Sequence, residues 1–237
     1  MKEQIEEYKN EKNKSNVQKV FLHAAYLVNL ASPEKESRDK SVEGLSKHLA
    51  ICDVIDADGL IFHVGSGKEM DKELALECVI QELKQVLQNV PGRSTLIIEN
   101  SAGGGAKLAS TAKEIGQIMK GVHSPRLKVC IDTAHAFEAG TIEHYTPKEL
   151  QVFFDEWEKE VGCEHIVAFH INDSKSPYNS HYDRHENIGE GHIGLDGFKA
   201  FAKEKRTHTA SWLLEVPGFD NLGPDKKNID ILKKLFK

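Results

Sequence analysis

Six stretches of this chain are almost continuously apolar where they begin and turn polar or glycine-rich where they end. They are VFLHAAYLVNL (20–30), GLIFHVGS (59–66), STLIIENSAGGG (94–105), LKVCIDTAHAF (127–137), HIVAFHINDS (165–174) and SWLLEVPG (211–218). A strand buried on both faces of a parallel sheet reads this way, because it meets water only where its C-terminal end opens onto a loop. Between the runs lie amphipathic stretches at 36–52, 71–89, 107–120, 147–161 and 224–236, with apolar residues at helical spacing, as in KELALECVIQELKQVL. A short charged helix over about 2–13 precedes the first run. The alternation predicts βαβ units around a parallel sheet. Pattern alone leaves a (β/α) barrel and a doubly wound sheet both open. Neither GxGxxG nor GxxxxGKS/T follows any run, which argues against a nucleotide-binding phosphate loop. No low-complexity linker interrupts the chain, so a single domain over 1–237 is expected.

Composition narrows the function. At 237 residues and 39% hydrophobic content the chain can bury a sizeable core. Its formal net charge of −6 gives no global attraction for nucleic acid, so any such contact needs a local basic patch or bound cations. Cys52, Cys78, Cys130 and Cys163 are scattered without a CxxC pair, which argues against a disulfide framework and for a reducing compartment. The polar opening MKEQIEEYKNEKNKS lacks the apolar core of a signal peptide, and no run is long enough to span a membrane; a cytoplasmic location is expected.

The strand ends carry the chemistry. In chain order they hold His23, His63, Glu99, Asp132 with His135, His170, and Glu215, and the loop after the fifth run adds Asp183 and His185. Taken singly, a strand-end histidine is more often a hydrogen-bonded polar residue, and an aspartate or glutamate a helix cap. Six of six strand ends is another matter. In a parallel barrel those ends converge on one face. Converging carboxylates cannot all ionise unpaired, and divalent cations remove the conflict. Five histidines and four carboxylates suit zinc, or manganese or iron at some positions. Nine candidate ligands exceed one ion, so two or three metals with a shared carboxylate are expected. Such clusters serve phosphodiester hydrolysis.

The segment HYDRHENIGEGHIG (181–194) fits the same picture. Asp183 and His185 alternate around Arg184, so in extended backbone both ligands face one way and the arginine the other, where it can grip a phosphate in bidentate fashion. His181 and His192 flank this pair, with no ligand role expected. In INDSK (171–175) a hydroxyl and a lysine lie close by, suited to phosphate or to hydrogen bonds with metal ligands.

At HAAYLVNLASP, IFHVGS, IENSAGGG, VCIDTAHAFEAG, FHINDSK, YDRHENIGEGHIG and LLEVPG the chain resembles the endonuclease IV family of apurinic/apyrimidinic endonucleases, in the family's order from about residue 20 onward. The resemblance implies a (β/α)8 TIM barrel with a trinuclear zinc cluster. It implies cleavage of DNA on the 5′ side of abasic sites in base excision repair, leaving a 3′-hydroxyl and a 5′-deoxyribose phosphate. Carried over, His23, His63 and Glu99 hold one zinc. Glu99 bridges to a second, also held by Asp132, His170 and Glu215, and His135, Asp183 and His185 hold the third. Glu99 is the catalytic bridging ligand beside a metal-bound hydroxide. Arg184 and Tyr26 are the DNA-binding residues, with Arg184 on phosphate and Tyr26 near the abasic nucleotide.

Two departures stand out. HVGS has Val64 where the family has proline. Only six strands are counted, without the two that open the family barrel, so the expectation is an N-terminally truncated barrel. Its open edges call for cover by a partner chain, self-association or the N-terminal helix. The family's DNA-wedging loop after the second strand has no counterpart here. Two other functions compete with this one: a metal-dependent sugar isomerase or epimerase of the related barrels, which lacks the set His135, Asp183 and His185, and a metal-binding remnant with impaired DNA binding.

Overall fold

Each of the six apolar runs contains a strand, and each amphipathic stretch a helix. The computed structural model describes residues 2–25 and 27–236. In chain order the elements are α1 (Lys2–Lys14), β1 (Phe21–His23), α2 (Lys35–Ile55), β2 (Gly59–Phe62), α3 (Lys72–Asn89), β3 (Thr95–Glu99), α4 (Ala112–Val122), β4 (Leu127–Asp132), α5 (Thr133–Glu138), α6 (Pro147–Glu160), β5 (Ile166–His170), β6 (Asp173–Ser174), β7 (His185–Glu186), α7 (Gly194–Lys203), β8 (Ser211–Leu213) and α8 (Lys226–Leu235). They fall into two compact units. One runs up to Ile98 and adds Ile118–Lys128; the other holds Glu99–Gln117 and Val129–Lys237.

In the first unit β1, β2 and β3 pair in parallel, with Phe21 opposite Gly59 and Phe62 opposite Ile98. All of β2 is buried, as the unbroken apolar run requires. Helix α3 begins where the Asp71 carboxylate accepts the N–H groups of Glu73 and Leu74. Its buried stripe is Ala75, Leu76, Val79, Leu83 and Val86, at the spacing of one helical face. That stripe and Val42, Leu45, Leu49 and Cys52 of α2 form the core of the unit. The N-terminal helix buries no residue of its own and is tied down by charge, with Lys9 paired to Asp56 at 3.0 Å.

In the second unit β4, β5 and β8 pair in parallel, with Asp132 opposite His170 and His170 opposite Leu213. Its core is aromatic. Phe201 meets Phe169 edge-on at 5.3 Å and packs on Phe154 and Trp212. The Thr146 hydroxyl caps α6 and Pro147 opens it, a pairing that suits the first helical turn.

Two features differ from the sequence pattern. The fourth run does not stay extended to 137. Asp132 accepts the His135 N–H and so caps a new helix, which places His135 on α5 rather than on a strand. The glycine-rich segment is not all loop: His185 and Glu186 of β7 pair antiparallel with Ser174 and Asp173 of β6, and Gly194 opens α7. All four cysteines are free, as expected.

Candidate metal centre

In the first unit His23 is the last residue of β1 and His63 the first after β2. Their rings lie 5.7 Å apart. The His23 Nδ1–H donates to the Ala24 carbonyl at 2.9 Å, which leaves Nε2 carrying the lone pair. Asn29 ties together the two loops that follow these strands. Its side chain donates to the Ser66 carbonyl at 3.1 Å and accepts the Ser66 N–H at 3.0 Å. Gly65 has φ of +98°, and a Cβ there would collide with Asn29, so the HVGS turn needs glycine. Val64 is buried, and its carbonyl accepts the Leu30 N–H, so the residue that replaces proline packs into the same pair of loops.

The second unit gathers the carboxylates. Glu99 and Asp132 end β3 and β4, and His170 ends β5; Glu99 and Asp132 are wholly buried. Three carboxylates converge on one imidazole nitrogen. His170 Nδ1 lies 2.8 Å from Glu99 Oε1, 3.2 Å from Glu215 Oε2 and 3.9 Å from Asp132 Oδ2. Beside it, His135 Nε2 is 3.3 Å from Asp183 Oδ2. His185 Nε2 is 3.6 Å from both Asp132 Oδ2 and Asp183 Oδ1. Metal-capable atoms of Glu99, Asp132, His170 and Glu215 all lie within 4.8 Å of one another, as do those of Asp132, His135 and His185.

A shell of neutral donors and acceptors orients these ligands. Asn172 donates to Asp132 Oδ2 at 2.6 Å and accepts the Glu215 N–H at 2.8 Å, so one buried amide sets two carboxylate residues. The Asn100 carbonyl accepts the His135 Nδ1–H at 2.9 Å, which sets the ring for ligation through Nε2. Asp132 works twice: Oδ1 caps α5 while Oδ2 faces the imidazoles. His181 stands outside this cluster. Its N–H donates to the Glu138 carbonyl, and its ring meets the Ala102 carbonyl at the glycine loop that follows β3. His192 stacks against Phe137. Arg184 is exposed, while its neighbours Asp183 and His185 are half-buried, as alternation along an extended segment requires. Tyr26 lies outside the described residues.

The electrostatics ask for cations. Burial alone depresses the pKa of His135, yet Asp132, Asp183 and Glu99 outweigh it and hold the imidazole well above its ordinary range. His170 behaves likewise: burial pulls it down, and Cys130, Glu99 and Glu215 raise it well above. In the metal-free chain protons therefore occupy the points where the carboxylates converge. Glu99, Asp132, Glu138, Asp183 and Glu215 bring five carboxylates to this cluster with His135, His170 and His185. A nitrogen and oxygen donor set of that kind fits divalent cations such as zinc.

Comparison with known proteins supplies the lineage. The family model described as Xylose isomerase-like TIM barrel matches residues 1–235. The chain is 38% identical over 234 residues to "Probable endonuclease 4" of Aquifex aeolicus, covering 98% of this chain and 80% of that protein. The chain belongs to the endonuclease IV family. A second member, from Persephonella marina, is 31% identical over 99% of this chain and 82% of its own length. The crystal structure of endonuclease IV from Thermus thermophilus superposes with a TM-score of 0.83 at 27% identity, covering 98% of this chain and 80% of that one. The fold is thus the α/β barrel type of this family. A D-tagatose 3-epimerase-like protein superposes at 0.73 with 18% identity, a likeness of fold alone. The sugar isomerase reading is therefore not favoured.

Within this endonuclease IV frame one residue escaped the sequence pattern. Glu138, the last residue of α5, is fully buried. Its Oε1 accepts the Ser174 hydroxyl at 2.7 Å and the Arg184 N–H at 3.2 Å, and its Oε2 has no hydrogen-bond partner among the described residues. Burial pushes its carboxyl up to about 7, against those two hydrogen bonds. The signal was available: Glu138 stands three residues after His135, on the same helical face.

Proposed function

We propose that this chain is a metal-dependent endodeoxyribonuclease that hydrolyses the phosphodiester on the 5′ side of abasic sites in DNA. The products are a 3′-hydroxyl and a 5′-deoxyribose phosphate, as base excision repair requires. The observation that carries the reading is the cluster of five carboxylates around three imidazoles in a chain of the endonuclease IV family. Three zinc ions are proposed. His23, His63 and Glu99 hold one. Glu99, Asp132, His170 and Glu215 hold the second, and His135, Asp183 and His185 the third. Bound zinc supplies Lewis acidity toward a phosphoryl oxygen and lowers the pKa of a coordinated water toward neutrality.

The chain's own residues do the rest. Glu99, without solvent exposure, serves as the shared carboxylate and fixes the centre of the cluster. Asn172 and the Asn100 carbonyl hold Asp132, Glu215 and His135 in place before substrate arrives, which spares reorganisation during the reaction. Arg184, exposed between two ligands, contacts a DNA phosphate, and Tyr26 approaches the abasic nucleotide. The net charge of −6 makes these local contacts and the bound cations the source of DNA affinity.

The test is incision of a duplex carrying one abasic-site analogue by the purified, zinc-loaded chain, with metal content assayed on the same sample. Cleavage 5′ to the lesion with about three metals bound is expected. Metal without incision would defeat the proposed activity.

A further inference from the structure

Glu138 is the buried group that the nine-ligand scheme leaves unused. Its carboxylate is wholly removed from solvent, and Oε2 has no hydrogen-bond partner among the described residues. An isolated carboxylate oxygen in that position costs free energy unless it is protonated or meets a cation. A carboxylate oxygen of Glu138 lies within 4.8 Å of ligand atoms of both His135 and Asp183. Its Oε1 is anchored from two sides, by the Ser174 hydroxyl and the Arg184 N–H. Ser174 in turn accepts the Ser176 N–H at 3.1 Å and belongs to β6, whose partner β7 carries His185. Of the donors that hold Oε1, Ser174 therefore sits on the two-stranded piece that presents His185, and Arg184 immediately precedes it.

We infer that Glu138 Oε2 is a fourth protein ligand to the metal held by His135, Asp183 and His185. This rests on the reading of those three residues as ligands to one ion. The chemistry changes accordingly. Three protein ligands leave a position for water or phosphate, whereas four close a tetrahedral zinc site. The metal at His135 in this chain is then enclosed by protein and exchanges slowly. Its role is to lock α5 to the β6–β7 pair. Two other uses of Glu138 predict otherwise. A neutral acid that only donates a hydrogen bond would be replaced by glutamine without loss of metal. A purely structural carboxylate would change stability alone.

The test is a chelator challenge. The wild-type chain and Glu138→Gln are loaded with zinc, exposed to rising EDTA, and assayed for bound zinc per chain. Glu138→Gln should lose one equivalent at an EDTA concentration at least about tenfold below that at which the wild type loses it, as a disturbed ligand shell does. The remaining equivalents should leave both proteins alike. Cobalt substitution gives a second readout: intense tetrahedral visible absorption in the wild type, weakened in the variant. Equal retention and equal spectra in two folded proteins would overturn the inference. Should Glu138→Gln fail to fold, a crystal structure of the zinc-loaded wild type decides. Glu138 Oε2 at about 2.0–2.2 Å from a zinc supports it, and a separation beyond bonding reach defeats it. A wild-type chain that binds no zinc beside His135 would defeat the three-metal reading itself, and with it this inference. Zinc retained equally by both proteins would defeat only the role of Glu138.

Discussion

The two compact units treat polar groups in opposite ways. Among the described residues, the buried polar side chains of the first unit are Ser32, Ser41 and Ser94. The second buries Glu99, Glu114, Asp132, Glu138 and Asp173, with His135, His170 and a set of asparagines, serines and threonines. The first unit therefore places its two candidate ligands, His23 and His63, through backbone: strand register, a glycine with positive φ and one asparagine that staples two loops. The second cannot rely on backbone alone. The buried carboxylates draw partners that aim them as they stabilise them: Asn172 donates to Asp132 and Ser174 to Glu138, while Asn100 accepts the Asp132 peptide N–H. Burying a charge forces a network around it, and the network supplies the positioning a metal site needs.

The contrast can be broken at several points. Glu99→Gln removes the shared carboxylate from the charged unit. Turnover on abasic DNA should fall by on the order of 10²–10³ or more while the thermal melt stays cooperative, and retained turnover would take Glu99 out of the reaction. Asn172→Ala and Asn29→Ala form the sharpest pair. The first should weaken metal retention by about 10–100-fold, because it releases both Asp132 and Glu215. The second loosens only the loops beside His23 and His63; it should cost about 1–3 kcal/mol of stability, read by urea unfolding, and lower metal retention less than the first. Equal loss of metal in both would erase the distinction between the units.

Acidity offers a further test. In the metal-free chain the pKa values of His135, His170 and Glu138 are raised on folding. Such groups add stability that is full below their unfolded values and is lost as pH rises through the folded ones. For Glu138 that window runs from 4.5 to about 7, and for the histidines it begins near 6.5 and extends upward. The chelated protein should melt higher at pH 6 than at pH 8, by about 2–4 °C for each kcal/mol gained. The zinc-loaded protein should show the reverse, since protons compete for the ligands. The smallest effect belongs to Arg184→Ala. Binding of abasic DNA should weaken, and the slope of log affinity against log salt should shrink by about one, with zinc content unchanged. Lost zinc would mean that Arg184 supports the ligands beside it.

The fold was legible where burial is two-sided. β2, β3, β4 and β5 are almost wholly enclosed, so their residues had to be apolar in sequence, and the runs announced them. The helices α2, α3, α6 and α8 showed themselves through one-sided stripes. Short elements did not. The six residues of α5 are a helix only because Asp132 caps them, and α7 opens GLDG, with two glycines that mask its periodicity. The candidate ligands were legible because they recur at strand ends. Glu138 was not, because what buries it comes from 36 and 46 residues away, at Ser174 and Arg184.

The Asp173 carboxylate sets a rule of spacing. Asp173 accepts the N–H groups of Gly189, Gly191, Ile193 and Gly194, so a single side chain gathers four peptides of the segment after β7. A Cβ at Gly191 would strike the Ser174 carbonyl and the Asp173 carboxylate. The arrangement counts residues. Inserting or deleting one between 189 and 194 would put the wrong peptide over each oxygen and rotate α7 away from its core contacts at Phe198 and Phe201. Asp173 thus works as a ruler, and in this segment length is held more tightly than the identity of any exposed side chain.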